Sequence, residues 1–432
     1  MLAMLTAMPT RALRFYFDFS CPYAYVASTR IEALGQRVGV AVDPRPILLG
    51  GVFRARATPQ DLSQTLSPAK ARHNLADIHR QAARAGVPLT MPKGHPIRTV
   101  EALRALLVVG PPFMPLAHAL FRAYWVDGID LSSRAGLHRV LSEAGHDADA
   151  VLAKINDPAI KQDLRERTEE AITAGVFGVP TCVIPSPAST DASPQPDLLF
   201  WGVDRLEMVE RHLTGASAAS PRSPALDRPH APVDVYFDYA SPFAYLGCHR
   251  AEQALGDHAR WHPMLLGALF KQVGTANVPL FTQNDAKRQH TTLDLQRQAA
   301  AAEVPYRFPT RFPMRTVLAL RVTLAAKAHE TAAGRRLIHA LFRAYWADDR
   351  DISDPAELAR ICDSLGFDGA ALIEAAGEAS VKQALFAETE AAVEAGVFGA
   401  PTFVVKTRSG PELFWGADRL DLAVDAAVEA RG

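Results

Sequence analysis

Asp18-Phe19-Ser20-Cys21-Pro22-Tyr23-Ala24-Tyr25-Val26 returns in the second half of the chain as Asp238-Tyr239-Ala240-Ser241-Pro242-Phe243-Ala244-Tyr245-Leu246. Each copy follows an apolar or alternating run, Leu13 to Phe17 and Val233 to Phe237, that reads as a buried strand. Each leads into a segment rich in helix formers, Ala27 to Leu34 and Gly247 to Leu255. A Cys or Ser just before Pro, where a strand gives way to a helix, sits at the helix N-terminus with Pro in an early helical position. The unpaired N–H groups and the positive end of the helix dipole there stabilise a thiolate. The stretch is a place for sulfur chemistry, and the rest of the chain reads as its support.

Further segments recur in the same order. Leu48-Leu49-Gly50-Gly51-Val52-Phe53-Arg54 pairs with Leu265-Leu266-Gly267-Ala268-Leu269-Phe270-Lys271. Pro96-Ile97-Arg98-Thr99-Val100 pairs with Pro313-Met314-Arg315-Thr316-Val317, and Ala119 to Trp125 with Ala340 to Trp346. Near the end of each half, Gly175 to Thr181 matches Gly396 to Thr402, and Phe200 to Leu206 matches Phe414 to Leu420. Ordered matches at so long a period mean a tandem duplication of whole domains, not a solenoid. The expected division is a first domain over 11–213, an Ala/Ser/Pro-rich linker over 214–232 and a second domain over 233–432. A Pro/Ser/Asp-rich stretch, Ser186 to Pro196, reads as an enlarged loop, which the second copy crosses with only Lys406 to Pro411.

Within each half the pattern is strand, helix, strand, a long helical region, then strand, turn, strand and helix. In the first half the helical region reads as Ala69 to Ala85, Thr99 to Val109, Leu116 to Val126, Leu137 to Ala144 and Ala159 to Ala174. The closing strands read as Thr181 to Ile184 with Leu198 to Trp201, and Thr402 to Val405 with Leu413 to Trp415. This is the order of a thioredoxin-like α/β domain carrying an inserted helical domain, twice over.

Composition narrows the function. The chain has 432 residues, 48% of them hydrophobic, enough for a core in each half. A formal net charge of −1 supplies no electrostatic reason to expect nucleic acid or an anionic membrane. No apolar run reaches the length of a membrane span, and Met1 to Thr10 makes a poor signal peptide because Arg11 and Arg14 follow its apolar part. The four cysteines, Cys21, Cys182, Cys248 and Cys362, form neither a Cys-x-x-Cys nor a metal-ligand cluster. Free thiols in a reducing cytoplasm are the simplest reading, with no metal.

Phe237 to Phe243, Gly396 to Thr402 and Phe414 to Leu420 resemble 2-hydroxychromene-2-carboxylate isomerases, close relatives of kappa-class glutathione transferases within the DsbA-like thioredoxin superfamily. The resemblance covers nearly all of each copy; a tandem fusion departs from the family's single-copy subunit. It implies two DsbA-like domains in tandem, arranged as an intramolecular pseudo-dimer. The cofactor it implies is glutathione and the substrate a small aromatic carboxylate. The reaction is opening of a 2-hydroxychromene-2-carboxylate to its hydroxybenzylidenepyruvate, with a kappa-type transferase or peroxidase and a glutathione-binding scaffold as alternatives.

By that resemblance Ser241 receives the glutathione sulfur, a hydroxyl donor beside a helix start; its bland reading is an ordinary N-cap. Cys21 holds the same place in the first copy. DsbA-type shuttling needs a second Cys two residues past Pro, where Ala24 and Ala244 stand, so an internal disulfide is excluded. Cys21 is left as a reactive single thiol, a mixed-disulfide partner, a weak donor in place of serine, or a scaffold residue. Pro180 and Pro401 are implied to be cis, turning the backbone of Val179 and Ala400 outward to pair with the tripeptide. Trp201 and Asp204, with Trp415, Gly416, Ala417 and Asp418, are implied to meet its γ-glutamyl end, while Asp204 and Asp418 on their own read as N-caps. Arg205 and Arg419 read as surface or structural partners. Lys271 and Arg54 match a basic residue near the substrate, and Asn277 a polar one; taken alone, a Lys after an apolar run is a solvated side chain. Arg98 and Arg315 are weaker candidates for a carboxylate contact.

Overall fold

The computed structural model describes residues 12–60, 66–186, 196–216, 231–275 and 278–430. By compactness these divide into two units. Unit one holds residues 12–60, 76–186, 196–216 and 284–290, and unit two holds 66–75, 231–275, 278–283 and 291–430.

The first repeat runs β1 (Leu13–Phe17), α1 (Pro22–Val38), β2 (Val42–Pro46), α2 (Leu49–Ala55) and then six helices. These are α3 (Pro68–Arg84), α4 (Val100–Val109), α5 (Phe113–Trp125), α6 (Arg134–Glu143), α7 (Ala148–Lys154) and α8 (Pro158–Thr173). It closes with β3 (Thr181–Ile184), β4 (Leu198–Trp201) and α9 (Leu206–Thr214). The sheet order is β2-β1-β3-β4, with β1 parallel to β2 and antiparallel to β3. That is the thioredoxin arrangement, and it puts the C-terminal end of β1 beside the start of β3. Phe15 and Phe17 are fully buried, and α5 packs over the end of β1 through Phe121, whose ring lies 4.9 Å from that of Phe19. The helical insertion shares one apolar core with the sheet instead of closing a core of its own.

The second repeat gives β5 (Val233–Phe237), α10 (Pro242–Leu255), β6 (Ala259–Pro263), α11 (Leu266–Val273) and α12 (Asp285–Ala301). It continues with α13 (Val317–Ala325), α14 (Ala332–Trp346), α15 (Pro355–Ser364), α16 (Gly369–Ala375) and α17 (Ala379–Glu394). The last elements are β7 (Thr402–Thr407), β8 (Gly410–Trp415) and α18 (Leu420–Glu429), and the sheet order β6-β5-β7-β8 repeats the first. Tyr239 meets Phe342 of α14 at 4.8 Å, as Phe19 meets Phe121.

Three expectations change. The stretch Lys406 to Pro411, taken as a loop, is mostly strand: β7 and β8 stay paired to Thr407↔Gly410, and Pro411, which lacks an N–H, is accommodated because β8 is the edge strand. Helix α7, capped by Asp147 accepting from the Ala150 N–H, was not anticipated; at seven residues it is too short for periodicity to reveal. At the junction Thr214 still belongs to α9, and the Ala231 N–H already donates to the Ala427 carbonyl at 3.2 Å. Residues 217–230, most of the expected linker, and 187–195, most of the enlarged loop, lie outside the described residues.

Unit two contains a half-buried cation at the place where the first repeat sets Arg45, opposite Tyr16, against Asp43 and Glu170. His262 on β6 stacks on Tyr236 and lies between Asp234 Oδ1, 3.2 Å from Nε2, and Glu388 Oε2, 3.1 Å from Nδ1. Burial works against its charge, but the two carboxylates outweigh burial and raise its pKa to about 9. A pKa raised on folding adds stability that is complete below the ordinary value, about 6.5, and fades as pH climbs toward 9. His262→Gln is therefore expected to cost ~2 kcal/mol at pH 6 and to approach wild type near pH 9.5 in urea unfolding. A pH-independent gap between the two proteins would refute the assignment.

Candidate functional site

Everything at the head of α10 hangs on Asp238, which is fully buried at the end of β5. Its Oδ1 accepts from the Ala240 N–H at 3.0 Å and the Thr316 hydroxyl at 2.6 Å, and its Oδ2 accepts from the Leu266 N–H at 2.7 Å. One carboxylate thus ties the turn before α10 to the starts of α11 and α13. Asp18 repeats this with Ser20 N–H, Ser20 Oγ and Thr99 Oγ1 on Oδ1, and Leu49 N–H on Oδ2. Burial pushes both carboxyls above the usual range, and the donors pull the other way. The recurring Pro-x-Arg-Thr and Tyr-Trp segments gain a purpose here. Thr99 and Thr316 hold the aspartates, while Trp125 and Trp346 donate from Nε1 to the Phe19 and Tyr239 carbonyls at 2.9 and 2.8 Å. None of these four roles was foreseen.

The turn so fixed presents Ser241 as N-cap of α10. Its Oγ accepts from the Ala244 N–H at 3.1 Å and donates to the Ala400 carbonyl at 2.8 Å, across the cis bond Ala400–Pro401. In unit one the Cys21 Sγ donates to the Val179 carbonyl at 3.1 Å, beside cis Val179–Pro180, and makes no cap bond. Both pairs expected from sequence are therefore brought together. The carbonyls of Val179 and Ala400, expected to turn outward, instead face the Cys and Ser, because those are the nearest donors.

Cys21 is 9% exposed, and burial drives its thiol to about 12 despite the Ala24 and Tyr23 N–H groups. Among the four uses left open for it, this geometry is that of a neutral hydrogen-bond donor. All four cysteines are buried. Iodoacetamide at pH 7.5 is thus expected to modify less than one thiol of the native protein in the time that it modifies all four in urea; rapid labelling of Cys21 would contradict this.

Beside each cis proline, the turn that precedes it packs against the end of the closing strand, β4 or β8. Gly399 lies against Trp415, where an added Cβ would come within 2.4 Å of Nε1, and Gly178 lies likewise against Trp201. Gly416 has φ +111°, and its missing Cβ leaves room for Asp418 Oδ1. Asp204 and Asp418 are not N-caps: they sit inside 3-10 turns, Val203–Arg205 and Ala417–Arg419, whose N-caps are Gly202 and Gly416. Each carboxylate pairs with the next arginine, at 2.7 Å for Arg205 and 3.2 Å for Arg419, so those arginines are structural partners.

Sequence reasoning missed two further contributors. In unit two His73 Nε2 accepts from the Trp415 N–H at 3.1 Å, and Lys70 Nζ stands 4.8 Å over the Trp415 ring. In unit one His290 accepts from the Trp201 N–H at 3.3 Å, and Lys287, its pKa lowered by burial, stands 5.4 Å over the Trp201 ring. The available signal was a buried polar stripe at a spacing of four, His73-Asp77-Gln81 and His290-Asp294-Gln298, present in both repeats. Lys271 and Arg54 are exposed in the last turns of α11 and α2, about 7 Å along each axis from the end held by the aspartate. Arg98 pairs with Glu101 at 3.0 Å, and Arg315 is exposed. Asn277 lies outside the described residues.

A hydroxyl or thiol at a helix start, opposite a cis proline on a thioredoxin sheet, defines a thioredoxin-superfamily site without the shuttling cysteine pair. The chain belongs to the DSBA-like thioredoxin domain family, which matches residues 12–214 and again 232–427. It is 28% identical over 204 residues to a 2-hydroxychromene-2-carboxylate isomerase of Sphingobium xenophagum, spanning 47% of this chain and 98% of that protein. It is 30% identical over 200 residues to the protein of the same name from Pseudomonas sp. (strain C18), spanning 45% and 89%. Glutathione S-transferase kappa 1 of Rattus norvegicus is 25% identical over 229 residues, spanning 50% and 96%. Each relative thus matches about half of this chain. Among the described residues no helix is long and apolar enough to cross a membrane.

Proposed function

We propose that this protein is a glutathione-dependent isomerase that opens 2-hydroxychromene-2-carboxylate-like aromatic compounds. The observation that carries the reading is Ser241, whose hydroxyl joins the first turn of α10 to the carbonyl before cis-Pro401. The residues suit a tripeptide. Trp201 Nε1 is buried without a hydrogen-bond partner among the described residues, and Gly178, Gly399 and Gly416 keep the wall close and flat. Val179 with Pro180, and Ala400 with Pro401, would line the cysteinyl part; Trp201 and Asp204, or Trp415 with Gly416, Ala417 and Asp418, the γ-glutamyl part. Glutathione would supply a thiolate that adds to and then leaves the conjugated carbon.

The chain's own task is to hold that sulfur as an anion. Ser241 would turn its proton from the Ala400 carbonyl to the sulfur, while the N–H groups of the α10 first turn oppose the charge. Lys271, or Arg54 in the first repeat, would attract the substrate carboxylate, together with Asn277. The two halves of one chain would stand in for the subunits of a dimer, working in the cytoplasm on a small molecule with no nucleic acid or membrane partner.

Conversion of the substrate at a rate proportional to glutathione, with no glutathione consumed, is the expected result; turnover without glutathione would end the reading. The likeness to glutathione S-transferase kappa 1 favours one alternative, a transferase, for which an aryl halide would consume glutathione stoichiometrically. A scaffold would bind no glutathione in calorimetry.

A further inference from the structure

The two repeats keep the same frame around Ser241 and Cys21 but differ in one wall. Counting back from the shared Pro-x-Arg-Thr, Tyr306, Phe308 and Phe312 stand where the first repeat has Leu89, Met91 and His95. This segment adjoins the reacting position in unit two. The Tyr245 hydroxyl, in the first turns of α10, donates to the Pro305 carbonyl at 2.7 Å, and Thr316 holds Asp238. Unit one repeats both ties through Tyr25 with Pro88 and Thr99 with Asp18.

In unit two the rings form a continuous series. Phe312 lies 5.0 Å from Phe308 and 6.0 Å from Trp346, and Phe281 meets Phe312 edge-on at 6.0 Å while remaining 57% exposed. Arginines are interleaved with them: Arg307, Arg311 and Arg315 occupy positions that in the first repeat are Thr90, Gly94 and Arg98. Arg307 and Arg311 are partly offset by Asp349 and Asp351. In unit one the same place holds a hydrogen-bonded pair, His95 Nδ1 and the Tyr124 hydroxyl at 2.9 Å, with the His95 ring tilted against Trp125 at 5.0 Å.

We infer that the two sites divide the substrates: the Ser241 site takes planar anions of two or more fused rings against the Phe281–Phe312 wall, and the Cys21 site does not. A ring system offers Phe312 and Phe281 a face or edge to stack on, and its carboxylate suits the arginine-bearing segment. The first repeat has aliphatic Leu89 and Met91 in place of Tyr306 and Phe308, and its His95 is bonded to the buried Tyr124 hydroxyl, so it offers no comparable series of rings. The inference rests on the functional reading above for the identity of the sites, but ring selectivity is a property of binding and is measured without turnover.

The test is calorimetric titration of the full chain with 1-hydroxy-2-naphthoate and with salicylate, its one-ring analogue. One naphthoate site per chain is expected. Phe308→Met with Phe312→His should weaken naphthoate binding about tenfold and leave salicylate within about twofold. Phe281→Ala alters an exposed side chain without a folding cost and should weaken naphthoate about threefold. Met91→Phe with His95→Phe should add a second naphthoate site. Two equal naphthoate sites in wild type, or unchanged naphthoate affinity in both unit-two variants, overturns the inference. Glutathione titrated in parallel separates the two ideas. Glutathione binding with two equal naphthoate sites defeats only the division of substrates, whereas no glutathione binding with one naphthoate site defeats only the isomerase reading.

Discussion

Asp238→Ala is expected to destabilise the second unit by ~3–5 kcal/mol. The carboxylate serves three donors, the Ala240 and Leu266 N–H groups and the Thr316 hydroxyl, in a place closed to water. Each donor left without an acceptor costs about 1–3 kcal/mol, and the three share the loss because the turn can relax toward one or two of them. Asp238→Asn should lose nearly as much. An amide offers one acceptor oxygen, and its NH₂ would face a donor that already needs a partner. Differential scanning calorimetry reads the result as a low-temperature transition for part of the chain. A loss under about 1 kcal/mol for both variants would mean that the three bonds do not hold the turn.

Ser241→Ala should lower kcat/KM for the glutathione-dependent reaction about a hundredfold while glutathione still binds. The lost group is the hydroxyl that, on the proposed reading, donates to a sulfur at the head of α10, and a charge-assisted bond of this kind stabilises the anion and not the thiol. The acid limb of the pH–rate profile should therefore move to higher pH, because the bound thiol needs a weaker acid solution to ionise. Loss of packing alone would not shift that limb. Ser241→Cys should restore part of the rate, S–H being the weaker donor. Cys21→Ala, measured beside it on the same aromatic substrate, should change the rate less than about twofold if Ser241 carries the turnover. A Ser241→Ala enzyme within about threefold of wild type, with an unmoved profile, would remove Ser241 from the chemistry.

Much of the frame could be read along the chain. Strands Leu13–Phe17 and Val233–Phe237, the helix starts at Pro22 and Pro242, and the doubled order of elements are local patterns of polarity and chain stiffness, and they stand where they were expected. The facing of Cys21 with Val179 and of Ser241 with Ala400 came from the resemblance, since 158 and 159 residues separate the partners and no periodicity spans that distance. The reading of Asp204 and Asp418 as N-caps failed for a local reason. Two positive-φ glycines start the turns one residue pair earlier, so each carboxylate is drawn to the neighbouring arginine.

What the order of residues determined alone is the duplication, the thioredoxin pattern within each half and the absence of a shuttling cysteine pair, because each is written in contiguous or regularly spaced side chains. Only the tertiary structure decided that Thr99 and Thr316 hold the buried aspartates, that burial pushes the Cys21 thiol pKa up, and that His73 and His290 reach the tryptophan strands. These depend on which groups lose water together when distant segments pack, and burial rather than residue type then sets both the partner and the charge.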